Sequence, residues 1–234
     1  MMEAKWNKFV KAFVTNEGYK TVLEGLEATA KIALFGFLIG VVLGVIIALI
    51  SISSARSKKM KFLDAICRIY VTLFRGTPII VQLLVGHFVL FPLIGLKIES
   101  ILEAILIFGL NSGAYVSEIM RSGVLSVDVG QTEAGRAMGL SFPTTMARIV
   151  LPQAFKNSLP ALGNELIALI KDTSVASFIA VVDLTQAFKM LASGTYEYVV
   201  PYLILAAMYL VIILCLTLLI KLMERRLRKG DRRN

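Results

Sequence analysis

Charged and amide side chains recur inside an apolar stretch of the chain between residues 158 and 182. Asn164 and Lys171 are seven residues apart, and so are Glu165 and Asp172, which places each pair two turns apart on one face of a helix. A charge at the centre of a membrane helix costs about 2.5–3.5 kcal/mol, so these side chains need partners or water. The pattern predicts a polar stripe that faces a helix-bundle interior or a water-filled cavity and can hold a charged solute.

Other polar residues either extend this stripe or connect helices to one another. Thr173 and Ser174 follow it directly. Further polar residues interrupt two other apolar stretches, namely Asn111, Ser112 and Glu118 in one and Arg75 and Gln82 in the other. They either line the same polar path or bridge neighbouring helices by hydrogen bonds, as polar residues in membrane bundles do.

The composition indicates a protein of the bilayer. Of the 234 residues, 57% are apolar and only 18% are charged, and the mean hydropathy is +0.77. These values are typical of a polytopic membrane protein and exclude most classes of soluble protein. The length leaves room for four to six helical spans and for no large soluble domain.

Five segments are long and apolar enough to cross a bilayer as helices, at approximately residues 29–51, 62–91, 98–120, 158–182 and 201–222. The first contains Gly36, Gly40 and Gly44, and small residues four apart form a smooth stripe that another helix can approach closely. The second contains Pro78, which lacks a backbone N–H and predicts a kink or an interruption. We therefore predict an all-α membrane protein with five transmembrane helices, in a single domain over residues 1–234.

The N-terminal segment, residues 1–28, precedes the first predicted span. Lysines alternate with apolar side chains between Met1 and Val14, instead of forming the apolar core of a cleavable signal peptide. This alternation predicts an amphipathic helix at the membrane interface, with a frayed arm as the alternative.

Basic residues are unevenly divided between the two sides that five spans create. With the C-terminus inside, fifteen of the 25 Lys and Arg residues lie on the cytoplasmic side, including those of a basic tail at 223–234, and seven lie outside. Cytoplasmic loops carry the excess of basic residues, so we predict an outside N-terminus and a cytoplasmic C-terminus. Attraction to anionic membrane lipid accounts for the net charge of +9, and we predict no nucleic-acid partner.

The polar loop at 121–157 contains two short helical patterns. The first runs from Val129 to Met138 and ends at Gly139. The second starts after Ser141, with a proline at an early helical position, and stops before Pro152. Two helices around a glycine turn predict a compact projection that fits a groove in a partner subunit.

Several motifs of the chain occur in the order of a known family. They are Phe74-Arg75-Gly76-Thr77-Pro78-Ile79-Ile80-Val81-Gln82, Gly113-Ala114-Tyr115-Val116-Ser117-Glu118-Ile119, Gly130-Gln131-Thr132-Glu133-Ala134, Leu151-Pro152-Gln153-Ala154 and Lys171-Asp172-Thr173-Ser174. Together they resemble the permease subunits of type I ATP-binding cassette importers for polar amino acids of the histidine, glutamine and arginine type. Gly135, in place of a second alanine, and Val175, in place of leucine, depart from the family pattern.

The resemblance implies a subunit in a bacterial cytoplasmic membrane that pairs with a second permease, either another copy or a related chain. It implies two ATPase subunits, an extracytoplasmic solute-binding protein and a coupling loop that contacts the ATPase through Glu133, Ala134, Gly135, Gly139, Ile149, Leu151 and Pro152. The alternative for Glu133 is that it only caps a surface helix. The chain has no glycine-rich phosphate loop, so ATP and Mg²⁺ are expected on the partner ATPase, with no cofactor in this chain.

The resemblance also gives the polar stripe a substrate. Glu165 or Asp172 is expected to accept from the ammonium of an amino acid, and Lys171, or the hydroxyls of Thr173 and Ser174, to bind its carboxylate. The alternative is a self-contained pair of Lys171 and Asp172 that touches no ligand. Asn164, Asn111 and Gln82 complete the predicted substrate pathway.

Two other functional classes are alternatives for this sequence. An ion-coupled secondary amino acid transporter fits the charged residues of the stripe and His87, but the chain is short and shows no inverted repeat. An intramembrane enzyme lacks Ser/His or Cys/His pairs, and no metal-ligand spacing occurs. Cys67 and Cys215 are expected to be apolar membrane residues, and His87 a packed residue, with a proton relay as the alternative.

Overall fold

The computed structural model describes residues 2–54 and 57–231, with side chains described as far as Arg226. Every regular element in these ranges is helical, which confirms the all-α prediction. The α-helices are α1 Met2–Val10, α2 Gly18–Ser53, α3 Lys58–Gly76, α4 Ile79–Val85, α5 Phe91–Leu93, α6 Ser100–Leu125, α7 Val129–Ala137, α8 Phe142–Thr145, α9 Leu151–Asp172, α10 Leu184–Thr195 and α11 Val199–Asp231.

Wide π-turns join some of these helices, and two of the turns precede a proline. The turn Gly86–Leu90 leads into α5, which contains Pro92, and the turn Met146–Val150 leads into α9, which contains Pro152. A proline has no N–H to donate, and its ring clashes with the carbonyl four residues earlier. A wide turn relieves that clash, so the chain continues as a helix.

This continuity contradicts one sequence prediction. The second short helix of the 121–157 loop was expected to stop before Pro152, but α8, the turn Met146–Val150 and α9 run on without a break. The amide of Leu151 donates to the carbonyl of Met146, five residues earlier, so helical hydrogen bonding continues up to Pro152. Pro152 therefore begins a helix here and does not end one.

Fewer helices qualify as membrane spans than the five predicted. Among the described residues, α2, α6 and α11 are long and apolar enough to cross a membrane, and the interrupted pair α3 and α4–α5 makes a fourth if it is one span. The interruption lies at Thr77–Pro78, where the sequence predicted one. α9 does not qualify, because lysine, asparagine, glutamate and aspartate residues lower its hydropathy.

The helix ends also differ from the predicted spans. The helix predicted at 158–182 begins earlier and ends at Asp172, after which Thr173–Ile179 forms a tighter 3-10 segment and Ala180 turns at a φ of 62°. α2 starts at Gly18, within the segment expected to precede the first span. The predicted basic tail at 223–234 is helical as far as Asp231, and residues 232–234 lie outside the described residues.

The chain forms two compact units, and the first, unit 1, comprises Met1–Phe37, Thr77–Gly109 and Leu166–Thr217. Its main apolar cluster includes Ile32, Leu83, Phe108, Leu169 and Ile179. A second cluster includes Phe9, Val22, Leu184, Phe188 and Val200. Because Phe9 is buried in that second cluster, α1 is packed on the rest of unit 1 and is not a frayed arm.

Helix α10 of unit 1 was not predicted. The Asp183 side chain accepts hydrogen bonds at 3.0 Å from the backbone amides of Thr185 and Gln186, so it caps the helix N-terminus. The amide of Leu184 donates to Thr29 Oγ1 at 3.1 Å. The aspartate followed three residues later by glutamine was the sequence signal for this start.

Unit 2 comprises Leu38–Gly76, Leu110–Glu165 and Leu218–Asn234. Its apolar cluster is smaller and contains Val124, Val127, Met146, Val150 and Ala154. α2 and α6 approach closely within this unit. A Cβ added at Gly40 would lie 2.7 Å from the Ser112 Cβ, and one added at Gly44 would lie 2.5 Å from Val116 Cγ1.

Candidate functional site

Unit 2 contains a cavity of about 470 Å³ with several polar side chains in its wall, which is formed by α3, α6, the turn after α6 and α9. Glu118 and Ser122 of α6 line it four residues apart, so they occupy one helix face, and Ser126 lines it from the turn directly after α6. The remaining polar residues of its wall are Arg75, Tyr115, Asn157 and Ser158. Asn157 Nδ2 donates to Ser126 Oγ at 2.9 Å, and Ser158 Oγ donates to the carbonyl of Ile119 at 3.3 Å.

Sequence reasoning found only part of this wall. Glu118 and Arg75 were candidates, whereas Ser122, Ser126, Asn157 and Ser158 were missed. The signal that could have found Ser122 and Ser126 was their position four and eight residues after Glu118, although both lie beyond the span predicted at 98–120.

The charged side chains at this cavity contact either a residue of the same helix or an aromatic ring. Arg121 donates to Glu118 Oε2 from Nη2 at 2.8 Å and from Nε at 3.2 Å, within one turn of α6. The Arg75 guanidinium lies over the Tyr115 ring, 5.4 Å from its centroid. Glu118 therefore makes an ion pair within α6, and Arg75 makes a cation–π contact.

The predicted polar stripe lies on α9 and just beyond it. Glu165 is half-buried and accepts a hydrogen bond at 3.0 Å from Ser112 Oγ, while Asn164 is exposed. Ser112 is fully buried, so its hydroxyl holds the Glu165 carboxylate in place. The structure thus brings together two residues that are 53 positions apart.

The other stripe residues belong to unit 1. Lys171 and Asp172 are exposed at the end of α9, and the ion pairs of the described residues do not include these two. Thr173 is buried and donates from Oγ1 to the carbonyl of Ile170 at 2.8 Å, and Ser174 is half-buried. The Thr173 hydroxyl therefore contributes to the tightened turn after α9.

Asn111 and Gln82 contact backbone groups near the interruption at Pro78. Asn111 Nδ2 donates to the carbonyl of Phe74 at 3.4 Å within unit 2. Gln82 Nε2 donates at 2.9 Å to the carbonyl and to Oγ1 of Thr77 within unit 1. Both side chains thus bind backbone carbonyls that precede Pro78.

The residues predicted to form a coupling loop lie in a helix–turn–helix within unit 2. Asp128 caps α7 by accepting from the amide of Gly130 at 2.7 Å. At the end of α7, Gly139 has a φ of +75°, its amide donates to the carbonyl of Arg136, and the amide of Leu140 donates to the carbonyl of Gly135. These bonds form a Schellman turn, which requires the left-handed backbone that glycine adopts readily.

Gly135, one of the two departures from the family pattern, has a packing role. A Cβ at this position would lie 2.6 Å from Thr145 Cγ2 of α8. Ser141 caps α8 by accepting from the amide of Thr144 at 3.4 Å. The glycine therefore lets the two short helices pack closely, in addition to any loosening of α7 by its low helix propensity.

The remaining coupling residues differ in exposure. Glu133, Ala134 and Pro152 are exposed, whereas Ile149 and Leu151 are half-buried. The cap of α7 is Asp128, so the alternative that Glu133 caps this helix is wrong. The exposed residues of the loop form a surface that a partner can reach.

His87 has an acidic partner that the sequence did not reveal. Its Nδ1 contacts the Glu103 carboxylate within unit 1, and Glu103 is only 5% exposed. Residues 86–90 form the wide turn that precedes Pro92, which orients the imidazole toward α6. Within the described ranges, no three His, Cys, Asp or Glu residues are grouped so that they could hold a metal ion.

Comparisons with known proteins indicate the family of this chain. Residues 36–229 match the family of binding-protein-dependent transport system inner membrane components. The chain is 39% identical over 210 residues to the arginine transport system permease protein ArtQ of Bacillus subtilis, which covers 90% of this chain and 94% of that protein. It is 40% identical over 204 residues to the L-cystine transport system permease protein TcyB of the same organism, covering 87% of this chain and 85% of that protein.

Chains of two solved transporter structures also resemble this chain. A chain in the crystal structure of an amino acid ABC transporter with histidines is 36% identical, with a TM-score of 0.81 over 92% of this chain and 97% of that chain. A chain of the inward-facing MetNI methionine ABC transporter is 20% identical, with a TM-score of 0.68 over 89% and 95%, and shows the same fold. None of these matches supports the alternative of an ion-coupled secondary transporter.

The family match covers most of the chain and includes the α7–α8 loop, and the relatives align along nearly their whole length. The chain therefore belongs to the family of binding-protein-dependent transport system inner membrane components.

Proposed function

We propose that this chain is the permease subunit of an ATP-driven importer of polar L-amino acids. The observation that carries the proposal is the end-to-end likeness, at 36% identity, to a chain of an amino acid ABC transporter. The relatives named for arginine and L-cystine transport support the same substrate class. The chain itself performs no covalent chemistry, and ATP with Mg²⁺ binds to a partner ATPase.

The 129–152 loop is the proposed lever between the ATPase and the membrane helices. Glu133 and Ala134 are exposed on α7, and the Schellman turn at Gly139 fixes the direction of α8. The turn Met146–Val150 then passes directly into α9 without a flexible joint. A force applied to α7 is therefore transmitted to α9 through packed helices, because packed elements move as bodies.

The proposed substrate pathway uses Glu165 as the partner of the substrate ammonium. Ser112 donates to one oxygen of this carboxylate, which fixes its orientation. Asp172 remains the alternative partner of the ammonium, and Lys171, Thr173 and Ser174 remain candidates for contact with the substrate carboxylate. Asn164, Asn111 and Gln82 are proposed as further residues of the path. Charged side chains in a membrane protein face a cavity or a partner, which supports a pathway near α9.

We further propose the full assembly and its orientation. Two permeases, either identical or related, sit on two ATPase subunits and receive the amino acid from an extracytoplasmic solute-binding protein. The N-terminus lies outside and the C-terminus in the cytoplasm, as the excess of basic residues favours. Labelling of single cysteines at Asn16 and Asp128 in intact cells tests the orientation, because only the cysteine at position 16 should react with an impermeant reagent.

The function is tested with the chain reconstituted in liposomes together with its ATPase and solute-binding protein. We expect uptake of a labelled amino acid that stops when ATP is omitted and persists in the presence of a proton or sodium ionophore. Glu165→Ala should weaken binding of that amino acid to the purified transporter, with Glu99→Gln, an exposed loop residue, as the control. Uptake that requires an ion gradient and proceeds without ATP would overturn the proposal.

A further inference from the structure

Unit 2 holds a second polar cavity, of about 290 Å³, between α2, α3 and α6. The wall from α3 is one face of that helix, with residues three or four positions apart: Asp64, Cys67, Arg68, Val71, Thr72 and Arg75. Sequence reasoning did not select Asp64, although an aspartate four residues before an arginine in an apolar segment was a visible signal.

Asp64 is a buried carboxylate with one oxygen unused. It is 3% exposed, and its Oδ2 accepts from Arg68 Nε at 2.9 Å and also from Arg68 Nη2. Its Oδ1 is the only buried side-chain nitrogen or oxygen atom of the described residues that lacks a hydrogen-bond partner. A buried polar atom is costly unless a donor reaches it, so this oxygen indicates a missing donor.

Arg68 supplies the complementary charge beside that oxygen. A guanidinium has five N–H donors, and Asp64 engages those on Nε and Nη2. The Arg68 side chain is 74% exposed, so its remaining donors are accessible. One free carboxylate oxygen and several free guanidinium donors thus lie within a few ångströms of each other on a single helix face.

This arrangement fits the two charged groups of an amino acid. The α-ammonium and the α-carboxylate are attached to the same carbon atom, so they require an acceptor and a donor that are close together. Glu118 and Arg121 also line the cavity, but they form an ion pair with each other, so fewer of their donor and acceptor atoms remain for a ligand. Ile47 and Ala48 provide apolar wall, and Ser51 and Ser117 provide hydroxyls, so side chains of different polarity can be accommodated.

We propose that Asp64 and Arg68 bind the α-ammonium and the α-carboxylate of the transported amino acid. Asp64 Oδ1 accepts from the ammonium, and the outer N–H groups of Arg68 donate to the carboxylate. This inference rests on the proposed function and adds a second binding position on α3, distinct from Glu165 on α9.

The test removes one charge from the ligand and one from the protein. The complete transporter, in phosphatidylcholine nanodiscs, is titrated with L-arginine, L-glutamine and L-cystine, and the tightest of these is compared with its N-acetyl and carboxamide derivatives. In the wild-type protein, each derivative should bind roughly tenfold or more weakly, since each lacks one charge-assisted hydrogen bond. In Asp64→Asn, the penalty for the N-acetyl derivative should disappear, while the penalty for the carboxamide remains.

Arg68→Gln should show the opposite pattern, and it keeps the test decisive if Asp64→Asn fails to assemble with the ATPase. Glu99→Gln should retain both penalties. If both penalties persist in Asp64→Asn and Arg68→Gln, the pair is structural and the proposal is wrong. Phosphatidylethanolamine is a lipid that carries an ammonium and a phosphate. The proposal also fails if, in nanodiscs that contain this lipid, the variants change only the amount of it that is bound. A wild-type transporter that binds none of the amino acids contradicts the proposed function itself.

Discussion

The two units of this chain differ in what their cavities contain. A cavity of unit 1, about 440 Å³, has a wall of apolar residues such as Leu26, Ala33, Ile170 and Val211, with few polar groups. The cavities of unit 2 contain carboxylates, guanidinium groups and hydroxyls. Among the described residues, unit 1 also has two apolar clusters, whereas unit 2 has one small cluster beside the α7–α8 loop.

This difference suggests that the two units have different roles. Buried polar groups of unit 1, such as Asp183 and Thr29, bind backbone groups within the unit and stabilise its helices. In unit 2, Asp64 has one oxygen without a hydrogen-bond partner, and Glu133 is exposed on α7. Polar groups that are satisfied internally stabilise a fold, while groups that are left available bind something else.

The largest contrast is expected from two glycines with the same backbone conformation. Gly139 in unit 2 and Gly95 in unit 1 have φ values of 75° and 69°, and an added Cβ would meet no atom within 4 Å at either site. Valine at either position strains the backbone equally, because a β-branched residue is disfavoured at positive φ. We expect Gly139→Val to reduce uptake and substrate-stimulated ATPase activity to background and Gly95→Val to retain most of both. Equal losses would contradict a special role of the coupling loop.

A second contrast lies along α2, where the predicted glycine stripe passes from unit 1 into unit 2. An added Cβ would lie 3.2 Å from Phe108 Cβ at Gly36 but 2.5 Å from Val116 Cγ1 at Gly44. Gly44→Ala should therefore destabilise the protein by about 2 kcal/mol through overpacking. At Gly36 the gain of about 1 kcal/mol in helix propensity should offset the milder contact. Thermal unfolding of the purified transporter measures both, and equal melting temperatures would exclude tighter packing in unit 2.

The third contrast concerns two buried or half-buried carboxylate pairs. Glu165 with Ser112 belongs to unit 2, and Glu103 with His87 belongs to unit 1. Ser112→Ala should lower the affinity for amino acid by roughly three- to tenfold, because it removes one hydrogen bond from the proposed ligand group. His87→Gln should leave that affinity unchanged and lower the melting temperature only. Titration calorimetry distinguishes the two, and a lowered affinity in His87→Gln would place binding chemistry in unit 1 as well.

The smallest contrast compares two aspartate helix caps. Asp183 caps α10 and is fully buried, while Asp128 caps α7 and is exposed. Asp183→Ala should cost about 1–2 kcal/mol of stability and Asp128→Ala about 0.5 kcal/mol, because only the first leaves partly buried amides without their acceptor. Chemical unfolding measures both values, and equal costs would remove burial as the cause.

Asp183 also leads to a prediction about how the stability of the protein depends on pH. Burial raises the pKa of Asp183, although its hydrogen bonds with backbone amides oppose the rise. The folded state therefore binds a proton more readily than the unfolded state, and this residue makes stability fall as the pH rises through the acidic range. Asp183→Asn lacks that dependence, so its stability relative to wild type should increase with pH until Asp183 is fully ionised.

Much of the fold followed from local sequence patterns. The interruption at Pro78, the end of α7 at Gly139 and the start of α8 after Ser141 depend on residues within a few positions, and each is observed. Pro152 was misjudged as a helix end because the wide turn Met146–Val150 accommodates its ring. α10 was missed because its start depends on a single aspartate and a short amphipathic segment.

The candidate site depended more on distant contacts. Glu165 was selected from its spacing along α9, but its partner Ser112 lies on another helix. The serines of the larger cavity and Asp64 were missed, because their polar character is ordinary until three helices enclose a common space. Spacing along a helix indicates which residues share a face, and it does not indicate what that face meets.

The sequence by itself determined that this chain is an all-helical membrane protein with a helix–turn–helix loop, because hydropathy, proline and glycine act through the local backbone. It also determined the family, because the motifs occur in order along the chain. Only the tertiary structure decided that charged side chains of unit 2 line common cavities, that Gly135 packs closely against Thr145, and that one oxygen of Asp64 has no hydrogen-bond partner. These features depend on which side chains meet across helices, and that is set by the packing of the whole unit.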